Sequence, residues 1–300
     1  MYHGIMNVYK EAGYTSHDVV ARLRGICKQK KIGHTGTLDP DAVGVLPVCL
    51  GNGTKLCALL TDKSKEYIAE FRLGITTDTQ DISGRVLNTA EVQASVKEVE
   101  AAILSFQGEQ QQVPPMYSAI KVQGKKLYEL AREGKEVERE PRPITIEEIQ
   151  ILEQNHPQYK IRVTCSKGTY IRTLCHDIGQ ALGCGAVMTS LVRTRVDKFC
   201  VEEAYKLDEL ERLSREGHLS EVIIPVEEMF SDLPVVSTKA ETDIALHNGN
   251  QLHSGMLFEK SQIPDGEDKT FRVYDSKGRF CGVYQHCPES GFLKPLKMFL

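Results

Sequence analysis

The segment KKIGHTGTLDPDAVGVLPVCLGNGTK, Lys30 to Lys55, constrains this chain more than any other stretch. It is apolar and dotted with glycine, as a buried strand and its entry loop would be, yet its first half carries His34, Asp39 and Asp41. Polar side chains in such a run must be solvated, paired or used, because an uncompensated buried charge is very costly. Pro40 pushes Asp39 out of the helical region and stiffens it, while Gly33 and Gly36 permit a close approach of backbone or ligand. A carboxylate held rigidly in a partly apolar loop can serve as nucleophile or base. A plain Asp-Pro turn without chemistry fits the same residues.

The rest of the chain alternates strand and helix patterns. YTSHDVVARLRGICKQKK reads as a helix capped by Thr15 or Ser16, with Val19, Val20, Leu23 and Ile26 on one stripe. In SKEYIAEFRLG, Tyr67, Ala69, Phe71 and Leu73 alternate with Ile68, Glu70 and Arg72, which predicts a half-buried strand. A turn and second strand follow in DISGRVLN, and a helix is predicted from Ser95 to Phe106. A long polar excursion then opens at Pro114-Pro115 and closes at Pro141 and Pro143, holding a short helix near Lys125–Glu133. Insertions of this size in a compact domain are usually functional loops or covers. YKIRVTCSKGTYIRTLCHDIGQALG gives a strand, a glycine turn and a helix ending near Gly183, and LVRTRVDKF a further strand. Prolines and acids cluster at 225–235, and short strands such as FRVYD and FCGVYQH after them predict a small all-β module. The main body is therefore expected to be α+β.

Composition narrows the partners. The net charge of −4 hides an asymmetry. Residues 1–200 carry 26 Lys+Arg against 23 Asp+Glu, whereas 201–300 carry 11 against 18. Seven basic and two acidic residues lie between Lys160 and Cys200, enough for a local phosphate-binding face on an acidic chain. Nine cysteines occur without a CxxC, and no spacing matches a zinc site, so reduced thiols in a cytoplasmic protein are expected and no metal is. No run of about eighteen apolar residues is present, and MYHGIMNVYK lacks a basic region ahead of an apolar core, so neither a membrane span nor a secretory leader is expected. GNGTK is too short for a phosphate-binding P-loop, although Lys55 could touch phosphate.

Several side chains could share a site with Asp39. Tyr170 and Arg172, in SKGTYIRTLCHD, are read as neighbours on one face of a strand-like stretch. An arginine beside a carboxylate keeps it ionised and oriented, and a tyrosine can stack on a base or handle a proton. Tyr67 could equally pack in the core or stack against a flat substrate. His34 stands beside glycine in a loop. Met116, Tyr117 and Tyr128 are interleaved with Lys121, Lys125, Lys126, Arg132, Lys135, Arg139 and Arg142 in the insertion. That mixture suits closure on RNA, although five glutamates there also fit a solvated flap.

Taken in order, these pieces resemble one family. GHTGTLDPDAVGVLPVCLGNGTK is similar to the central motif of the TruB-type tRNA pseudouridine synthases, KEYIAEFRLGITTDTQDISG to their second motif and CSKGTYIRTLCHDIGQALG to their third. VPPMYSAIKVQGKKLYELAREG resembles the family's RNA-closing insertion and SLVRTRVDKF a further strand, while LHNGNQLHSG with FRVYDSKGRFCGVYQ looks like a PUA module, a small RNA-binding β-barrel. One departure is KEAG at Lys10–Gly13, where the family usually has Lys-Pro. The resemblance implies a pseudouridine synthase fold, α+β, with a central mixed, largely antiparallel sheet flanked by helices. It implies a catalytic domain over 1–230, with its insertion near 110–143, and a PUA-like domain over 231–300. It makes Asp39 the catalytic aspartate, Tyr67 the tyrosine under the uracil and Arg172 the partner of Asp39. Tyr170 and Leu191 would wall the pocket, His34 would hold the everted nucleotide, and Lys55 would sit at the rim. The implied reaction turns uridine into pseudouridine in the T-arm loop of tRNA, at position 55. No cofactor or metal is implied, nor an obligate protein partner, and a monomer is expected.

Two other readings remain at this level. One is a tRNA-binding chaperone with little catalysis, against which the set Asp39, Tyr67 and Arg172 speaks. The other is an aspartate enzyme acting on a small glycoside or nucleotide, for which the basic, aromatic insertion is superfluous.

Overall fold

The alternation in SKEYIAEFRLG becomes the strand Lys65–Leu73, with Tyr67, Ala69, Phe71 and Leu73 buried. In the computed structural model, which describes residues 1–122, 124–258 and 269–300, this strand lies in the middle of a nine-stranded sheet. From one edge the order is Gly4–Lys10, Val43–Leu50, Ala186–Val196, Lys65–Leu73, Gln158–Cys165, Arg142–Asn155 and Gly108–Gln112. Two short strands attach to it, Ile32–His34 on Val43–Leu50 and Phe199–Cys200 on Ala186–Val196. The pairing of Ala186–Val196 with Val43–Leu50 is parallel and the others are antiparallel. The sheet is therefore mixed and largely antiparallel, as anticipated.

Helices cover the two halves separately. Ser16–Ile26 starts at Thr15, whose side chain accepts from the Asp18 amide while Asp18 reaches back to the Thr15 amide. Its Val19, Val20 and Leu23 join Leu207 and Leu210 of the helix Leu207–Glu216 over Met6, Val8, Leu46 and Val48. On the other half, Val99 and Ile103 of the helix Val96–Ser105 and Leu174 and Ile178 of Ile171–Ala181 pack on Ala69, Phe71, Ile161 and Val163.

The C-terminal residues build a second sheet from Val235–Ser237, Thr270–Tyr274, Phe280–Cys287 and Phe292–Met298. FRVYD and FCGVYQH are indeed strands. This sheet has its own core of Val236, Leu246, Phe271, Val273, Tyr284 and Leu293. It also shares one with the main body, where Val283 and Phe299 meet Ile5, Val45, Cys49, Leu56 and Leu60. Each such buried side chain contributes about 1.5–3 kcal/mol, so the junction is a packed seam. Gln123, inside the expected insertion, and residues 259–268, inside the expected C-terminal domain, lie outside the described residues. Among the described residues no helix is long and apolar enough to cross a membrane.

Candidate active site

Asp39 lies in the loop that feeds the strand Val43–Leu50, and that loop is fastened from three sides. Lys10 ends the first strand with its side chain fully buried, and its ammonium donates to the carbonyls of Glu11, Pro40 and Ala42 at 3.2, 2.9 and 2.6 Å. Burial pulls its pKa down to about 8, with Asp39 and Asp41 opposing. From the first helix, the Ser16 hydroxyl accepts from the Leu38 amide at 3.0 Å, and the Gly13 amide donates to Pro40 O at 3.0 Å. On the far side Gly44 has φ +108°, and a Cβ there would come within 2.2 Å of the Arg193 carbonyl oxygen. Only glycine allows this approach of the two parallel strands.

Arg172 is the second residue of the helix Ile171–Ala181, and Tyr170 is its N-cap. The expected strand-like stretch with both side chains on one face is thus corrected to a helix start. No side chain of Tyr170 caps it. The Gln112 side-chain amide instead clips the Tyr170 backbone, accepting from its N–H at 2.8 Å and donating to its carbonyl at 3.0 Å.

The turn delivers Arg172 to Asp39. Arg172 Nε lies 2.9 Å from Asp39 Oδ2 and Nη2 3.3 Å from Oδ1, a forked pair. The remaining donors reach Tyr117 O at 2.9 Å, Thr79 O at 2.9 Å and Asp81 Oδ2 at 3.3 Å. Asp81 Oδ1 is itself held by the Thr79 hydroxyl and by the Ser83 amide and hydroxyl. The Arg172 side chain is 5% exposed and that of Asp39 is 39% exposed, so the carboxylate is the open end of the pair. Crowding around the Asp39 carboxyl pushes its pKa up, Arg172 pulls it back, and the nearby Asp81 charge pushes it further.

The floor of the site comes from two neighbouring strands. Tyr67 stands opposite Arg193, and Ala69 opposite Leu191, across an antiparallel pair. Tyr67 and Leu191 share one apolar cluster with Leu38 and Ala42, the residues flanking the Asp39–Asp41 stretch. Burial raises the Tyr67 hydroxyl pKa, opposed by the adjacent Arg193 guanidinium, and keeps it protonated. Arg193 is itself buried and donates to Val45 O at 2.7 Å and Gly36 O at 3.2 Å, tying the glycine loop to the sheet. The Tyr170 hydroxyl is also raised by burial, with Ser118, Asp39 and Arg172 among its neighbours. His34 accepts from the Gly36 amide through Nδ1 and meets the His17 ring edge-on at 5.3 Å. Burial, His17 and Arg193 all lower its pKa, which favours the neutral ring.

Asp39, Arg172, Tyr67, Tyr170 and Leu191 are therefore brought together, with His34 on the same loop system. Lys55 is not, and its assignment to the pocket rim is corrected. It follows the far end of the strand Val43–Leu50, roughly 25 Å of extended chain from the Asp39 end. Its ammonium donates to Met298 O at 2.8 Å and Leu300 O at 3.1 Å, fastening the C-terminal strand to the body. Lys10, Gln112, Asp81 and Arg193 were missed, because their contacts span 30 to 157 positions of sequence. The one local sign was the period of two in LVRTRVDKF, which puts Arg193 on the same inward face as Leu191.

Residues 24–171 match the N-terminal domain model of the TruB family of pseudouridylate synthases, and residues 172–231 match the C-terminal domain model of tRNA pseudouridylate synthase B. The chain belongs to the TruB family. It is 52% identical to tRNA pseudouridine synthase B of Lachnoclostridium phytofermentans, over 99% of this chain and 100% of that protein. To the protein of the same name from Bacillus pumilus it is 40% identical, over 99% and 98%. Among solved structures, the Cbf5-Nop10-Gar1 complex matches with TM-score 0.72 and 27% identity, covering 99% of this chain and 85% of that one. An H/ACA RNP bound to a substrate RNA containing 2'-deoxyuridine matches with TM-score 0.71 and 26% identity, covering 99% and 85%. As a TruB-family member the chain is a pseudouridine synthase, an isomerase.

Proposed function

We propose that this TruB-family chain isomerises the uridine of the T-arm loop of tRNA, position 55, and that Asp39 carries the chemistry. The observation that carries the reading is the forked pair of Asp39 with a buried, fully occupied Arg172, its carboxylate end open above Tyr67 and Leu191. The reaction breaks N1–C1′ and joins C1′ to C5. N1 gains a proton and C5 loses one, so nothing is added and no cofactor is called for. Asp39 could attack C1′, add to C6 or remove the 2′ proton, and each route needs the ionised carboxylate that Arg172 orients. The target base must leave its stack to reach this depth, and the Tyr67 ring offers a surface that offsets part of that cost. Tyr170 and Leu191 would line the walls, and neutral His34 would hold the everted nucleotide.

Recognition would be by shape and phosphate contacts more than by base reading. The insertion 110–143 would close over the T-arm, and the C-terminal residues 231–300, as a PUA-like domain, would add RNA contacts. The proposal places a monomer in the cytoplasm with tRNA as its partner. The test is tritium release from unmodified tRNA carrying uridine labelled at C5, run beside labelled free uridine and UMP. Release from tRNA alone supports the reading. Release from the free compounds at a comparable rate points to a small-molecule enzyme, and tight tRNA binding without release points to a chaperone.

A further inference from the structure

Away from the Asp39 site, one group in the C-terminal sheet brings together an imidazole, a carboxylate and a thiol. His247 ends the short helix Asp243–His247, Asp275 opens the turn after the strand Thr270–Tyr274, and Cys281 lies on the next strand, Phe280–Cys287. Their ligand atoms all lie within 4.8 Å of one another, and among the described residues no other group of three His, Cys, Asp or Glu does this. We propose that His247, Asp275 and Cys281 form a binding site for a zinc-type divalent cation, which staples the helix to the strand hairpin.

Three features carry this. The donors are of the kinds zinc takes, and ligands at ~2.0–2.3 Å from such an ion stand roughly 3.3–3.8 Å apart, while His247 Nε2 and Asp275 Oδ2 are already 3.1 Å apart. The Asp275 carboxylate is held in one orientation. Its Oδ1 accepts from the Lys277 and Arg279 amides at 3.0 and 2.9 Å, leaving Oδ2 turned toward the imidazole. Outer hydrogen bonds of this kind aim a ligand atom at a metal.

The third feature is charge. Asp243 sits alongside with both oxygens held by Thr238 and Ser276, adding a second carboxylate to a cluster with a fully buried thiol. A divalent cation would offset these carboxylates and draw the Cys281 thiol, which otherwise donates to Arg279 O at 3.3 Å, into the set as a thiolate. A mixed sulfur, nitrogen and oxygen set favours zinc over magnesium or calcium. The His247 side chain is 41% exposed while that of Asp275 is 4% exposed, which gives the ion an entry path and a fourth position for water. On binding, the Cys281 S–H bond breaks, its proton leaves to solvent and a sulfur–metal bond forms. The site escapes a reading of the sequence because its members are 28 and then 6 residues apart, unlike any zinc-finger spacing.

The alternative is a His247–Asp275 ion pair beside an inert thiol, and a thiolate signature separates the two. The full chain, stripped with chelator and kept reduced, is titrated with Co²⁺ and then Zn²⁺. The site predicts one equivalent of cobalt with a thiolate-to-cobalt charge-transfer band, displaced by zinc. The band should vanish in Cys281→Ser, and in His247→Gln, a half-exposed position where folding is not at stake, affinity should fall by at least ~10-fold. Zinc should raise the Tm of the wild type more than that of His247→Gln. A wild type without the band, or a band equally strong in His247→Gln and in folded Cys281→Ser, overturns the proposal.

Discussion

The Asp39 neighbourhood and the 110–143 insertion are built on opposite terms. Around Asp39 the anchors are buried polar groups with their partners in place, with Lys10 on three carbonyls and Arg172 spread over two carboxylates and two carbonyls. Among its described residues between Gln112 and Arg142, the insertion has two strands of two residues, Lys121–Val122 and Lys125–Lys126, and one six-residue helix, Leu127–Arg132. Its ion pairs, such as Lys125–Glu133 and Lys135–Glu133, lie on the surface, where each is worth ~0–1 kcal/mol. Among the described residues from Met116 to Pro141, Ser118 and Leu127 are the buried ones. The two regions meet where Arg172 Nη2 donates to Tyr117 O. Under the proposed function, chemistry would sit on a preorganised frame, while the segment proposed to close on RNA has little to lose by rearranging.

The sharpest way to break that contrast is Arg172→Lys. An ammonium cannot reproduce the fork or reach the four acceptors at once. Turnover in single-turnover tritium release should fall by ~10²–10³-fold, and thermal unfolding should come earlier because half-buried Asp81 loses its cationic partner. The pH profile sharpens it next. In the proposed reaction Asp39 acts ionised, and its pKa is raised by crowding, so activity should be lost as pH falls through a value above the ordinary aspartate range. Arg172→Lys, with a weaker counter-charge, should move that acid limb to higher pH. Lys10 supplies the opposite limb. Its pKa is about 8, and once neutral it has two N–H donors for three carbonyls, so kcat should decline above that pH. Lys10→Met should lower kcat by about 10-fold through a looser Asp39 loop and erase the alkaline decline.

Substitutions in the other region should behave differently. The Lys126 ammonium and the Arg132 guanidinium lie 5.3 and 5.4 Å from the centre of the Tyr128 ring. Tyr128→Ala should raise KM about 5-fold and leave kcat unchanged, reading a loss of RNA contact alone. Smallest of all, Lys55→Ala should leave both constants alone and cost ~0.5–1.5 kcal/mol in denaturant unfolding, as the Met298 and Leu300 carbonyls lose a donor.

What could be read from the sequence follows the range of the interactions. The helix Ser16–Ile26 announces itself because its cap and stripe are local. The strand Lys65–Leu73 does so because its period is two. Asp39 stands out because Pro40 and its glycines are adjacent to it. The helix start at Ile171 was hidden, since Thr169, Tyr170 and Ile171 favour strands and the Tyr170 backbone is satisfied by Gln112, 58 residues away. Lys10 looked like any surface lysine, because only the folded loop 30 residues later supplies Pro40 O. In the C-terminal sheet the parallel partner Val235–Ser237 was not foreseen. Three residues that follow a single proline, Pro234, carry no periodicity.

The central claim is that Asp39 does the chemistry while binding is spread over a wide surface. It is tested most directly by Asp39→Asn, followed in one preparation by tritium release from C5-labelled tRNA and by filter binding of the same tRNA. The account predicts turnover lower by ~10⁴-fold or more with Kd within about threefold of wild type. Tritium release near the wild-type rate would contradict it, and so would a folded variant that no longer binds tRNA.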